Sequence, residues 1–209
     1  QLLGPSATRL ALLRAGEDHK DRPQLLDFLD EHRISTELTG KTRVEVIRSL
    51  SGLLYSTSNM VVPREEFIEQ VIKRDQQETT CLGRGLMIPH AILDQGDEIK
   101  GVLGISSKGI DLGAPDGEPV HAVLLLATPE SDRHRHLQVI AAFATFITRD
   151  VNFREQLYHA RSPAYAYDVL HHDDQEDLNY FLEDAATRVG LRDETGGNDV
   201  EKRSEQPHP

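Results

Sequence analysis

The chain has 209 residues, 38% hydrophobic side chains, one cysteine and a formal charge of −12. That length suits one globular domain with extensions, the lone Cys81 excludes an intramolecular disulfide, and the acidic balance excludes a basic face for nucleic acid. The charge is uneven: from Asp168 onward twelve acidic residues stand against four basic ones, so eight of the net negative charges lie in the last fifth of the chain. No apolar run approaches the roughly 20 residues that span a bilayer. Gln1 opens no recognisable secretory leader, and a reduced, cytoplasmic compartment is expected.

Residues 1–22 read as a linker or juxtamembrane segment, with Leu10, Leu12 and Leu13 beside Arg9 and Arg14. Residues 23–32 place Leu25, Leu26, Phe28 and Leu29 at helical spacing, and residues 33–38 read as a short edge strand through Ile34, Thr36 and Leu38. Thr39 is the expected N-cap of a helix running to about Tyr55, with Val44, Ile47, Leu50 and Leu54 apolar. Pro63 followed by Glu65 and Glu66 opens the next helix, because proline is preorganised for a first turn and carboxylates complement the helix dipole. Phe67, Val71 and Ile72 form its apolar face.

The period then changes. Residues 86–92, 99–107 and 119–128 are strand-like runs separated by turns such as Pro115-Asp116-Gly117. The stretch holding Val120, Val123, Leu124, Leu125 and Leu126 suits a strand buried on both faces. Helical period returns over 131–148 through Leu137, Ile140, Ala141, Ala144 and Ile147, with Ser131 or Asp132 as cap, and short helices are expected over 152–158 and 163–170. Residues 174–189 can form an acidic amphipathic helix with Leu178, Phe181, Leu182 and Ala185 on one face, and the composition beyond Gly190 predicts disorder. The order of elements gives a mixed α/β fold, a mixed β-sheet flanked by helices, over residues 23–171, with residues 172–209 as acidic helix and tail.

The chemistry concentrates in Thr80-Cys81-Leu82-Gly83-Arg84-Gly85-Leu86-Met87-Ile88-Pro89-His90-Ala91. A glycine-rich turn leads into an apolar strand that ends by presenting His90 beside a proline. An imidazole titrates near neutrality and its ring nitrogen can accept a phosphoryl group. Other readings of the histidines are weaker. His134 and His136 are two apart and diverge on a helix, unlike an i, i+4 zinc pair. His171-His172-Asp173-Asp174 has ligand types without a distant partner, and His121 and His159 read as structural or surface residues. No metal or cofactor is expected, and neither a Gly-x-Ser-x-Gly elbow nor a Walker loop is present.

This segment resembles the phosphohistidine motif of type 2 EIIA domains (fructose, mannitol and nitrogen-regulatory IIA-like) of the bacterial phosphotransferase system. Further elements resemble that family in order: Glu65-Glu66-Phe67, Lys108-Gly109-Ile110-Asp111-Leu112, the run from Val120 to Pro129, His136-Leu137, and Asp150, Phe153 and Leu157. The resemblance runs from about Arg33 to Leu170. It implies that His90 is the phosphoryl acceptor and that His136 lies beside it and contacts the transferred group. Donors around the phosphoryl oxygens are then expected from Thr80, Arg84 and the amides of Gly83 and Gly85. Arg84 departs from the small polar residue usual between those glycines.

The lead-in Gly4-Pro5-Ser6-Ala7-Thr8-Arg9-Leu10-Ala11-Leu12-Leu13-Arg14-Ala15-Gly16-Glu17 resembles the exit from the last membrane helix of bacterial cation–proton antiporters. Together the two resemblances imply a cytoplasmic regulatory domain tethered to a membrane transporter, phosphorylated on His90 by a histidine-containing phosphocarrier protein. Its activity is at most that of a phosphohistidine carrier. The alternative is a phosphocarrier EIIA component of a sugar or nitrogen-regulatory system. Partners implied are the phosphocarrier protein, a membrane transport domain N-terminal to Gln1, and a second copy of the chain as a homodimer.

Overall fold

A computed structural model describes residues 26–171. The linker expected over 1–22 and the acidic helix and tail expected over 172–209 lie outside the described residues. In chain order the strands are β1 (Ile34–Ser35), β2 (Cys81–Gly83), β3 (Leu86–Met87), β4 (His90–Leu93), β5 (Lys100–Ile110) and β6 (Val120–Pro129). The α-helices are α1 (Arg43–Thr57), α2 (Arg64–Gln77), α3 (Arg133–Arg149), α4 (Val151–Tyr158) and α5 (Pro163–His171).

The strands form one mixed sheet in the order β1-β5-β6-β3-β2, with β4 continuing beside β6 where β3 stops. β5 and β6 are antiparallel, whereas β1 on β5, and β3 and β4 on β6, are parallel. β6 is central because its run from Ala122 to Ala127 holds no polar side chain: Val123, Leu124, Leu125 and Leu126 are fully buried, alternating between the two faces. Leu124 and Leu126 join the core under α3, α4 and α5, which includes Val139, Phe143, Leu157 and Ala166. Val123 and Leu125 join the core under α1 and α2, which includes Ile47, Leu50, Phe67 and Val71. The mixed α/β sandwich expected from the sequence is therefore the fold.

Local physics corrects several boundaries. The helix expected over 23–32 does not form in its described part. Leu26, Phe28 and Leu29 are buried there, but Asp30 turns its carboxylate onto the amides of His32 and Arg33 and caps a 3-10 turn, Glu31–Arg33. The cap of α1 is Thr42 rather than Thr39. The Thr42 hydroxyl accepts from the Glu45 amide at 3.1 Å while the Glu45 carboxylate accepts from the Lys41 amide, a reciprocal arrangement Thr39 cannot make. Val44 is consequently exposed rather than on the apolar face. The run expected as one strand over 86–92 is split, because Pro89 has no amide hydrogen for the ladder with β6. Asp132 stands at the N-cap position of α3, after a 3-10 turn over Glu130–Asp132, without a side-chain cap bond.

Candidate functional site

The interruption at Ile88 and Pro89 builds the site. Ile88 pairs back through its amide to the Thr80 carbonyl, and the Pro89 carbonyl serves the Leu126 amide. The Ile88 carbonyl is thereby available to His90, whose Nδ1 lies 2.9 Å from it. A carbonyl only accepts, so this contact holds the proton on Nδ1 and leaves Nε2 as the ring's bare nitrogen. His90 is half-buried, and desolvation lowers its pKa below the ordinary 6.5, the Ile88 carbonyl opposing the shift.

His136 comes to the same place from another element. It sits in the first turn of α3 and folds inward, while His134 on the same turn is exposed, as their two-residue spacing demands. The centroids of the His90 and His136 rings are 4.7 Å apart with planes at 63°. His136 is buried, and its Nδ1 lies 2.9 Å from the hydroxyl of the fully buried Thr128. Its pKa is pushed down to about 3, first by burial and then by its neighbours His90, Arg133 and Arg74. Both shifts favour the neutral form of the ring.

Arg74, in the last turn of α2, lowers the proton affinity of both histidines through its charge. Its guanidinium bonds the Glu78 carbonyl and carboxylate, each at 3.2 Å. One residue on, the buried carboxylate of Asp75 accepts from the Thr80 amide at 3.1 Å, the Thr80 hydroxyl at 2.6 Å and Arg43 at 3.1 Å. Thr80 is therefore adjacent to the site, but its hydroxyl is committed to Asp75. Through its carbonyl it anchors Ile88, and so indirectly the His90 ring.

The Gly83-Arg84-Gly85 turn does not line His90, which corrects the expected cradle. β3 starts opposite Ala122 and β4 starts opposite Leu126, so the turn lies four residues farther back along β6, about 13 Å away. All three residues have positive φ, at 84°, 56° and 79°. The anion expected in this turn is already supplied by the chain itself: Asp116 Oδ2 accepts from the Arg84 amide at 2.7 Å. That bond, followed by one from the Glu118 amide, lowers the Asp116 pKa. Glycine at 85 is required by crowding, since a Cβ there would meet Tyr158, His121 and the Pro119 carbonyl at 3.0–3.2 Å. His121 belongs to this remote end, stacked on Tyr158 at 5.0 Å, and His159 pairs with Glu155 at 3.4 Å.

Sequence reasoning thus brings together His90 and His136 and misses Arg74, Asp75 and Thr128. Asp75 left a trace, being the one charged residue on the Phe67, Val71, Asp75 stripe, where i, i+4 and i+8 face inward. Thr128 left one as the only hydroxyl closing the buried β6 run. Among the described residues no group of three or more His, Cys, Asp or Glu side chains is placed to hold a metal ion. Among them, too, no helix is long and apolar enough to cross a membrane.

Residues 27–173 match the family described as phosphoenolpyruvate-dependent sugar phosphotransferase system, EIIA 2. The chain is 27% identical over 152 residues to the PTS system fructose-specific EIIABC component of Bacillus subtilis, covering 73% of this chain but only 24% of that protein. It is 33% identical over 102 residues to a nitrogen regulatory protein of Bradyrhizobium diazoefficiens, covering 49% of this chain and 66% of that one. The fold is similar to the crystal structure of nitrogen regulatory protein IIA-Ntr from Neisseria meningitidis, with a TM-score of 0.63 at 23% identity over 69% of this chain and 97% of that one.

Proposed function

Because the chain belongs to the EIIA 2 family of the phosphoenolpyruvate-dependent sugar phosphotransferase system, we propose that it carries a phosphoryl group on Nε2 of His90. The observation that supports this best is the pair of imidazole rings with centroids 4.7 Å apart, with the His90 proton held on Nδ1 by the Ile88 carbonyl. A neutral ring with a bare Nε2 is a nucleophile without first losing a proton. Phosphorus passes from the donor's histidine nitrogen to His90 Nε2: one P–N bond forms, the other breaks, and the donor nitrogen keeps the electron pair. The proton stays on Nδ1, donated to the Ile88 carbonyl, throughout. Such a transfer asks the protein for positioning and charge stabilisation, which Arg74 and His136 are placed to give. The chain is then a stoichiometric carrier and not a turnover enzyme.

The test is incubation with enzyme I, a histidine-containing phosphocarrier protein and labelled phosphoenolpyruvate. Acid-labile label on the wild-type chain, absent from His90→Ala, is the expected result. No label under conditions that label a control EIIA, or label surviving in His90→Ala, overturns the reading.

The use made of the phosphoryl group is a finer reading. The antiporter-like run Gly4-Pro5 to Gly16-Glu17 supports a cytoplasmic regulatory domain, tethered to a cation–proton antiporter that precedes Gln1. The similarity to fructose-specific and nitrogen regulatory proteins supports an EIIA component that passes the group onward. Cation-driven proton exchange by the full gene product in membrane vesicles separates them. Exchange that changes on phosphorylation of His90 favours the first; unaltered exchange with label moving on to an EIIB domain favours the second.

A further inference from the structure

His136 is buried and neutral, so what it offers His90 depends on which of its nitrogens carries the proton. Thr128 decides this. Its hydroxyl is fully buried in β6, and its sole hydrogen-bond partner among the described residues is His136 Nδ1, 2.9 Å away. Two arrangements are open. If Nδ1–H donates to the hydroxyl, the hydroxyl's own proton is left in an apolar interior without an acceptor, an unmade donor costing about 1–3 kcal/mol. If the hydroxyl donates to Nδ1, both atoms of the buried contact are satisfied and the imidazole proton is on Nε2, which is not among the buried unpartnered side-chain atoms of the described residues. The opposite holds at His90, where the Ile88 carbonyl takes Nδ1–H and strips Nε2. The two adjacent rings therefore carry complementary tautomers: a bare Nε2 on His90, an Nε2–H on His136.

We propose that Thr128 is a positioning residue for phosphoryl transfer, whose hydroxyl locks His136 as the Nε2–H tautomer so that it donates a hydrogen bond to a phosphoryl oxygen on His90. The inference rests on the carrier reading of His90 for its consequence, but not for its first measurement. A donor that is neutral stabilises developing negative charge without holding the phosphoryl group as tightly as a cation would, which suits a carrier that must pass it on.

Long-range 1H–15N spectra of the ¹⁵N-histidine-labelled, unphosphorylated chain give the His136 tautomer directly, the ring being assigned against His136→Gln. The wild-type ring is expected as Nε2–H. Thr128→Val, of the same shape, should release it to a mixture or to Nδ1–H, and Thr128→Ser should restore the wild-type pattern. Label transfer to His90 should fall roughly tenfold in Thr128→Val and recover in Thr128→Ser. A wild-type ring in the Nδ1–H form overturns the proposal, as does a Thr128→Val ring still in the Nε2–H form. A shifted tautomer with an unchanged transfer rate overturns its role in transfer. Absence of label on a wild-type chain whose His136 ring is in the expected form sinks the carrier reading alone and leaves the tautomer lock standing.

Discussion

At His136 the cost of burial can be read as a pH dependence. An imidazole with a pKa of 6.5 in the unfolded chain and about 3 in the folded one binds its proton only in the unfolded state between those values. Stability is then lost progressively as pH falls from about 6.5 toward 3, with nothing further lost below that, and the full loss is on the order of 5 kcal/mol. His90, lowered in the same direction, adds to the same slope. Urea midpoints measured from pH 7.5 down to pH 4 should therefore fall steeply, and His136→Gln should flatten the fall. A parallel slope in the variant would mean that the ring is solvated. Arg84 is a residue-scale test of a different kind. Its φ of 56° costs about 1–2 kcal/mol for an L side chain, and glycine returns part of that as unfolded-state entropy. Arg84→Gly should stabilise the fold by roughly 0.5–1 kcal/mol in urea titrations and leave labelling of His90 unchanged, because the turn is about 13 Å from the ring. A large loss of labelling would return that turn to the site.

Between elements, the pair Arg43 and Asp75 ties the start of α1 to the end of α2 and both to the segment that follows β5. Arg43 also donates to the Leu112 carbonyl at 2.8 Å and the Gly113 carbonyl at 3.0 Å, so one guanidinium closes three segments. Asp75 in turn holds Thr80, and Thr80 holds Ile88. Removing one partner of a buried pair leaves the other uncompensated, so Arg43→Ala should cost about 3 kcal/mol in denaturant titrations. Asp75→Asn should cost somewhat less, since the amide still accepts from Thr80, but the loosened Ile88 carbonyl should let the His90 Nδ1–H signal exchange faster with solvent. Unaltered exchange in Asp75→Asn would show that Ile88 is held without this chain of contacts. Such couplings explain what the sequence could and could not disclose. Pro63 with Glu65 and Glu66 announces α2 locally, and the Gly-x-Gly to His90 spacing announces a turn and a presented ring. Its ring neighbour His136 lies 46 positions away on α3, the Thr128 that holds His136 lies 38 positions away on β6, and Arg74 stands at a helix end. No local period records those meetings. The Gly83-Arg84-Gly85 turn misled for the same reason, since a run that looks built for an anion does not reveal that Asp116, 32 residues on, already fills it.

For the molecule as a whole, the question is where the folding unit begins. The sequence places its start at residue 23 on the strength of Leu25, Leu26, Phe28 and Leu29, and although no helix forms over the described part, the burial it anticipated is real. Leu26, Phe28 and Leu29 pack with Ile99, Leu103 and Leu126 in the core beneath α3, α4 and α5. The fit is close enough that a Cβ added at Gly101 would come within 2.7 Å of the Phe28 ring. Arg33 fastens the segment further, donating to the Phe28 carbonyl at 2.7 Å and to the Thr57 carbonyl at the end of α1. Three buried side chains of this size contribute about 1.5–3 kcal/mol each, comparable with the net stability of many domains. A fragment of residues 23–171 should thus unfold at the same urea midpoint as the 209-residue chain and accept label on His90 at the same rate. A fragment of residues 34–171 should be unfolded or only partly ordered by circular dichroism. Cooperative unfolding of the shorter fragment at an unchanged midpoint would place the start of the domain at β1. A lowered midpoint for the longer one would show that residues outside 23–171 contribute to the stability of the fold.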